Sequence, residues 1–93
     1  MNKIIMFYGA ECPHCKVMMP LVERLEKETG IKIEKLEVWH DEKNANLMRK
    51  HEKAIVQASG GIFGTPAFIA SNEKRALCGE MPYEELKKWA TKK

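Results

Sequence analysis

Apolar and polar positions follow one another along the chain in a way that predicts strands and helices in turn. Residues 3–8 are almost entirely apolar, which is typical of a central strand covered on both faces. Pro13–Thr29 follows a different pattern, because its apolar residues between Met18 and Leu25 recur three and four positions apart. This spacing predicts an amphipathic helix, and Gly30 supplies its C-cap.

The middle of the chain predicts a second strand and a second helix. The strand lies within residues 31–39, but its apolar positions change phase, so we expect a bulge or a late strand start. Asp41 is a good N-cap for the helix, which ends before Gly60. Because the apolar stripe of this helix is loose, we expect a break near residues 53–54.

The last third of the chain predicts a β-hairpin and a final helix. An apolar strand, Ala67–Ala70, is followed by a turn at residues 71–73 and a second strand at residues 74–78. A last helix begins near Pro82, with its glutamates early and its lysines late, as the helix dipole favours. The predicted order is βαβαββα, and residues 1–93 form a single α/β domain without repeats or linkers.

The motif Cys12-Pro13-His14-Cys15 stands where the first strand passes into the first helix. Two thiols three residues apart on one helical turn can close a small disulfide. Cys12 falls at the N-cap, beside backbone N–H groups that have no helical partner, so a thiolate there is stabilised. Pro13 takes the first helical position, where its missing N–H costs nothing, and a protonated His14 adds positive charge beside Cys12. The motif therefore predicts thiol–disulfide exchange chemistry.

Composition and charge exclude several other classes of function. The net charge of +3 comes from lysines scattered among glutamates, and no basic run is interleaved with aromatic residues, so we expect no nucleic-acid partner. No stretch is long and apolar enough to span a membrane, so we expect no membrane partner. Three cysteines, two of them in one motif, exclude a disulfide-stapled scaffold. If Met1 is the native start, we expect a cytoplasmic protein, and we expect a monomer.

Together these residues resemble the thioredoxin superfamily over essentially the whole chain. The resemblance lies in the motif and the Lys16 that follows it, in Pro20 five residues after the second cysteine, in Thr65-Pro66 ahead of a hairpin strand, and in Gly79 ahead of the last helix. It implies a four-stranded mixed sheet flanked by helices. It also implies that the Thr65–Pro66 peptide bond is cis and packs beside the disulfide.

The chain departs from its relatives at positions that bear on the electron donor. Glu11 stands where thioredoxins usually carry a tryptophan, and Met6 stands where they carry a buried acid that assists proton transfer at the second thiol. The glutathione-binding signature of glutaredoxins is only approximated, at residues 64–66 and 77–80. The resemblance therefore leaves a thioredoxin reductase and glutathione both open as the electron donor.

We expect Cys12 to be the attacking thiolate and Cys15 the resolving thiol of an oxidoreductase that exchanges disulfides with protein substrates. The helix end and His14, unless its ring turns to solvent, lower the pKa of Cys12. The carboxylate of Glu11 opposes this effect unless it swings into water, as we expect it to do. We expect no cofactor and no metal, and a substrate segment that pairs with the backbone beside the disulfide. The predicted substrate-binding residues are Pro13, Phe63, Gly64, Thr65 and Pro66.

Other interpretations of the same residues stay open at this point. Cys12 and Cys15 could instead ligate a metal ion or an iron–sulfur cluster, or the chain could be a redox-inactive adaptor with this fold. Cys78, inside an apolar strand, fits a small buried residue better than a third redox cysteine. Ile62 and Phe63 fit burial in the core as well as they fit a substrate-docking rim.

Overall fold

The structure, a computed structural model, describes residues 4–70 and 75–91. Within these ranges strands and helices follow one another in the predicted order, except that the second helix is divided into two. The elements are β1 (Ile4–Tyr8), α1 (Pro13–Thr29), β2 (Ile33–Glu37), α2 (Glu42–Lys50), α3 (Glu52–Ser59), β3 (Ala67–Ala70), β4 (Arg75–Cys78) and α4 (Tyr83–Ala90).

The first helix has the bounds that its pattern predicts, because both of its ends are specified locally. Cys12 is the N-cap and Pro13 the first helical residue. Gly30 is the C-cap in a left-handed conformation, φ 75°, and its N–H donates to the Glu26 carbonyl at 2.9 Å. The helix continues through Pro20 without interruption.

The four strands form one mixed sheet in the order β2-β1-β3-β4. β1 pairs with β2 in parallel and with β3 in antiparallel orientation, and β3 pairs with β4 in antiparallel orientation. Phe7, near the end of β1, lies opposite Ala67, the first residue of β3. This register brings the segment before Ala67, which contains Thr65 and Pro66, to the same end of the sheet as the loop that leads to Cys12.

Helices cover the sheet on both faces, and each face has its own buried cluster. On one face Ile4 and Met6 pack with residues of α1 and α4 such as Val22 and Leu86. On the other face Ile5 and Phe7 of β1, the neighbours of that first pair along the strand, join a cluster that includes residues of α2 and α3. Alternate residues of the apolar first strand therefore enter different cores, which is why almost every position of β1 is buried.

The change of phase in the second strand follows from the same two cores. Ile33 packs on the side of α1 and α4, whereas Leu36 and Val38 pack on the side of α2 and α3. β2 starts late, at Ile33, and its register with β1 continues regularly to Glu37, so the late start is the expectation that the structure confirms.

The expected break near residues 53–54 of the second helix is wrong in position. The break lies at His51, which ends α2 and precedes α3. Its N–H donates to the Met48 carbonyl at 2.9 Å, and its own carbonyl accepts from Ile55 N at 3.0 Å, so one residue serves both helix ends. The expected turn at residues 71–73, and the predicted strand positions Lys3 and Lys74, lie outside the described residues.

Within residues 4–70 and 75–91, no helix is long and apolar enough to cross a membrane.

Candidate functional site

Cys12 lies at the junction between the loop after β1 and the first turn of α1. Its N–H donates to the Gly9 carbonyl at 3.1 Å, and its carbonyl accepts from Lys16 N at 3.1 Å, the first bond of the helix. Its backbone is extended, with φ −73° and ψ 117°, as an N-cap requires. The residue is only 3% exposed. The loop thus presents the sulfur of Cys12 at the amide-rich end of the helix.

The surroundings of Cys12 favour its thiolate. The Thr65 hydroxyl donates to Cys12 Sγ at 3.4 Å, and a protonated Sγ can donate to the Thr65 carbonyl at 3.7 Å. Burial raises the pKa of Cys12. Hydrogen bonds from the Cys15 and Thr65 side chains and from the N–H groups of Cys15 and His14 lower it, and they leave this pKa below its ordinary value.

Cys15, the second cysteine of the motif, is shifted in the opposite direction. It is 2% exposed, and burial together with its hydrogen bond to Cys12 raises its pKa to about 11. The negative charge of the Cys12 thiolate adds to this effect. Both cysteines are free thiols in the structure. The pair therefore holds one sulfur that ionises readily and one that keeps its proton.

The segment before β3 forms the wall beside Cys12. The Thr65–Pro66 peptide bond is cis, as the resemblance implies, and Pro66 is fully buried. The carbonyl of Pro66 accepts the Gly79 N–H at 2.8 Å, which ties this segment to the end of β4. Thr65 is thereby held with both its hydroxyl and its carbonyl toward the sulfur of Cys12.

An open groove of about 460 Å³ lies next to this wall. Its sides come from the start of α1, the end of α3, the loop before β3, and the end of β4 with the loop that follows. The lining residues include His14, Ser59, Ile62, Gly64, Thr65 and Glu80. Among the lining residues, Thr65 is the one whose hydroxyl donates to Cys12 Sγ.

Two exposed ion pairs flank Cys12. In one, His14 Nδ1 donates a hydrogen bond to Glu80 Oε2, and this bond and the charge of Glu80 raise the pKa of His14. In the other, His40 Nε2 lies 2.7 Å from Glu11 Oε1, and Glu11 in the same way raises the pKa of His40. The side chain of Glu11 is thus 64% exposed, as we expected, and its carboxylate is paired there with an imidazole.

The loop that carries Cys12 is held in place by the loop that follows β2. The carboxylate of Glu37 accepts N–H bonds from Ala10 at 2.9 Å, from Trp39 at 3.0 Å and from His40 at 2.7 Å. Burial raises the pKa of Glu37, but these three bonds lower it below its ordinary value. The indole of Trp39 covers Gly9 so closely that a Cβ atom on Gly9 would lie 2.2 Å from Cε2.

A model of the TraF family, described as the F plasmid transfer operon protein, matches residues 2–78. The chain belongs to the TraF family. TraF is a thioredoxin-like family, so the chain is also a member of the thioredoxin superfamily that its sequence resembles.

Solved structures with the same fold as this TraF family protein include thioredoxins and a glutaredoxin. A thioredoxin-like protein from Clostridium perfringens matches with a TM-score of 0.70 at 23% identity, over 96% of this chain and 68% of that one. A thioredoxin from Aeropyrum pernix matches with a TM-score of 0.67 at 23% sequence identity, over 96% of this chain and 72% of that one. A glutaredoxin from Archaeoglobus fulgidus matches with a TM-score of 0.65 at 20% sequence identity, over 98% of this chain and 88% of that one. These likenesses establish the fold. No curated protein matches the chain.

The structure brings most of the predicted site residues of this TraF family protein together. The two cysteines, Thr65 and Pro66 meet at one end of the sheet, and His14 and Gly64 line the adjoining groove. Pro13 is exposed on the first turn of α1. Phe63 follows the groove residue Ile62 in the chain and is 38% exposed.

Two interpretations of apolar residues from the sequence need correction. Core burial is wrong for Ile62 and Phe63, because Ile62 is 66% exposed and Phe63 is exposed as well. Cys78 is only partly buried: its side chain lines the groove, and its thiol donates to the Gly64 carbonyl at 3.5 Å. The apolar pattern around these residues does not distinguish a core from the rim of a groove.

Sequence reasoning missed three residues that shape the site: Glu37, Glu80 and the role of His40 as the partner of Glu11. The bond from Ala10 to Glu37 and the contact of His14 with Glu80 join distant parts of the chain, so no local pattern in the sequence predicts them. Among the described residues of one chain, no three His, Cys, Asp or Glu side chains are grouped as a metal site would need.

Proposed function

We propose that this TraF family protein is a thiol–disulfide oxidoreductase that acts on disulfide-containing proteins through Cys12 and Cys15. The thioredoxin-like fold suggests this class of activity. The observation that carries the proposal is the opposite shift of the two thiols, with the pKa of Cys12 lowered and that of Cys15 raised to about 11. An exchange reaction needs two thiols of different acidity, because one sulfur must attack the substrate as a thiolate while the other stays protonated until the second step.

The first step is an attack by the Cys12 thiolate on one sulfur of the substrate disulfide. The S–S bond of the substrate breaks, its second sulfur leaves as a thiolate, and a mixed disulfide forms between Cys12 and the substrate. The Thr65 hydroxyl, 3.4 Å from the attacking sulfur, supports the thiolate before this step. Cys15 does not compete for the substrate at this stage, because its raised pKa keeps it protonated while Cys12 is ionised.

The second step requires Cys15 to lose its proton. Two of the causes that raise the pKa of Cys15 are its hydrogen bond to Cys12 and the negative charge on Cys12, and burial is the other. Both Cys12 effects end once the Cys12 sulfur is bonded to substrate, so Cys15 becomes more acidic at the stage where it must react. Its thiolate then attacks Cys12, and the Cys12–Cys15 disulfide forms as the bond between Cys12 and the substrate breaks. The substrate leaves as a thiolate that carries the two electrons, and the proton lost by Cys15 goes to solvent or to this thiolate.

The groove beside Thr65 is the proposed binding site for the substrate chain. The exposed Ile62 and Phe63 offer an apolar rim, and the backbone of Gly64 and Thr65 can pair with an extended segment. A reductase or glutathione returns the protein to its dithiol form. The monomeric state and the cytoplasmic location stay predictions.

The test is to trap the mixed disulfide. In Cys15→Ser the second step cannot occur, so incubation with an oxidised protein substrate should yield a covalent adduct through Cys12, seen on non-reducing gels and located by mass spectrometry. Cys12→Ser should give no adduct and no reduction of substrate. Cys78→Ser is the matched control and should still trap when combined with Cys15→Ser. An adduct at Cys78, or reduction by Cys12→Ser, would reject the proposal.

A further inference from the structure

The pairing of His14 with Glu80 joins the motif to a distant part of the chain. Glu80 lies in the loop between β4 and α4, directly after Gly79. Gly79 has φ 90°, a left-handed conformation that favours glycine, and its N–H is bonded to the Pro66 carbonyl at 2.8 Å. The loop that delivers Glu80 is therefore anchored to the same segment that holds Thr65 against Cys12.

His14 connects Glu80, which lines the groove, with the cysteine motif. Glu80 contacts the Nδ1 atom of His14, and His14 is the second residue after Cys12. The hydrogen bond and the charge of Glu80 raise the pKa of His14, and the negative charge of Cys12 raises it further. Glu80 is thus the contacting partner of the imidazole, and Cys12 acts on it through charge alone, while the backbone N–H of His14 bonds to Cys12.

We infer that Glu80 is a positioning residue for the Cys12 nucleophile and that it acts through His14. Its carboxylate orients the imidazole and keeps a positive charge beside the Cys12 sulfur. When the Cys12 thiol ionises, its proton goes to solvent and His14 keeps its own, so the thiolate forms next to a cation. This inference rests on the proposed function in one respect only, that Cys12 is the sulfur that reacts.

The other ionisable groups near His14 do not replace Glu80 in this role. From its own segment the ring interacts with Cys12, and from β4 and the following loop the lining residues of the groove include Cys78 and Glu80. Burial raises the pKa of Cys78, so this thiol stays neutral near pH 7. The end of α3 contributes Ser59 and an alanine to the groove, and neither is charged. Among these described groups, Glu80 is the carboxylate that faces the imidazole.

The test removes the charge of Glu80 while keeping the shape of its side chain. In Glu80→Gln the His14 ring-proton NMR titration should move to lower pH, and the midpoint of the pH–rate profile for iodoacetamide labelling of Cys12 should move to higher pH. At the wild-type midpoint the labelling rate should fall by at most about one third, because the loss of one exposed ion pair sets the upper limit of an effect passed on through His14. Glu80→Asp should restore part of both shifts. The control Glu85→Gln, with the same charge change on α4, should move neither.

A double-mutant comparison separates action through His14 from a direct effect. In a His14→Gln background, Glu80→Gln should leave the Cys12 labelling profile unchanged. An unmoved His14 titration in Glu80→Gln, or an equal shift of the Cys12 profile with and without His14, would overturn the inference. These measurements need no disulfide substrate. A chain that shows the expected shifts but reduces no protein disulfide would refute the proposed function and leave the role of Glu80 intact.

Discussion

The two histidine–glutamate pairs beside Cys12 have the same chemistry in reverse order. On one side the imidazole belongs to the motif, at His14, and a distant loop brings the carboxylate of Glu80. On the other side the carboxylate precedes the cysteine, at Glu11, and a distant loop brings the imidazole of His40. In the chain, the imidazole is therefore the nearer member to Cys12 on one side and the carboxylate is the nearer member on the other. On one side Glu80 sustains the positive charge of His14, and on the other side His40 offsets the negative charge of Glu11.

The two sides also differ in how firmly the backbone is held. On the Glu11 side, Glu37 bonds three N–H groups and Trp39 covers Gly9, so the loop before Cys12 is fixed from outside. On the His14 side lies an open groove. The comparison suggests a division of roles under the proposed function: contacts on the Glu11 side fix the loop before Cys12, and the groove on the His14 side is the proposed place for a substrate.

The largest effect should come from disturbing the contact between Gly9 and Trp39. In Gly9→Ala the new methyl group would overlap the indole, which must move outward, and we expect a loss of about 1–3 kcal/mol in the free energy of unfolding. Urea denaturation measures this loss, and a red shift of tryptophan emission in the folded protein should report the displaced Trp39.

The matched control for this prediction removes the indole first. In a Trp39→Ala background the methyl group added at Gly9 meets no indole, so the same substitution should cost clearly less. An equal cost in both backgrounds would mean that the loop before Cys12 does not depend on Trp39, and the contrast between a held side and an open side would fail.

A smaller effect should follow from removing the charge of Glu37. The folded-state pKa of this carboxyl is lowered, so its contribution to stability is present above the unfolded-state value of about 4.3 and is lost as the pH falls through the folded value. Glu37→Gln should therefore lower the thermal unfolding midpoint by a few degrees at pH 7, and the difference from the wild type should shrink at pH 3. Scanning calorimetry at both values checks this.

The control for the Glu37 prediction is Glu23→Gln, which makes the same charge change on the exposed surface of α1. Its unfolding midpoint should stay close to that of the wild type at pH 7. If Glu37→Gln and Glu23→Gln behaved alike, the three N–H bonds would not be what holds the loop.

Parts of the molecule with local signals could be predicted from the sequence. The first helix is bounded by Cys12 and Pro13 at one end and by Gly30 at the other, and all three act on their own neighbours in the chain. The fold class also followed, from the order of the elements and from the resemblance carried by Thr65 and Pro66. Where a residue affects only the conformation of its neighbours in the chain, its position in the sequence is sufficient to predict the local structure.

What could not be predicted depends on which distant segments meet. His14 and Glu80 are 66 positions apart, and Glu11 and His40 are 29 apart, so their pairing depends on the sheet order and on two loops. The break at His51 was misplaced for a related reason: Met48 and Ile55 on either side of it both enter the same core, so the apolar stripe continues across the interruption. The spacing of apolar residues shows which positions are buried, but it does not show whether the helix is continuous between them.

The smallest expected effect gives the sharpest test of the comparison between the two pairs. Glutamate carboxylates are ionised near neutral pH with or without a neighbouring histidine, whereas a histidine titrates in that range and depends on its partner. In the Glu11 pair the carboxylate should therefore act mainly through its own charge, although its loss also lowers the pKa of His40. Glu11→Gln should lower the midpoint of Cys12 labelling and His40→Gln should raise it, each by less than His14→Gln does. In the other pair, His14→Gln and Glu80→Gln should both raise that midpoint, because Glu80 acts on the sulfur by sustaining the imidazolium. Labelling profiles of the four variants at low salt decide the matter. The comparison requires the Cys12 labelling midpoint to shift in opposite directions in the two variants of the Glu11 pair, and in the same direction in the two variants of the His14 pair. Shifts in the same direction within both pairs would mean that it does not matter which member of a pair is nearer to Cys12.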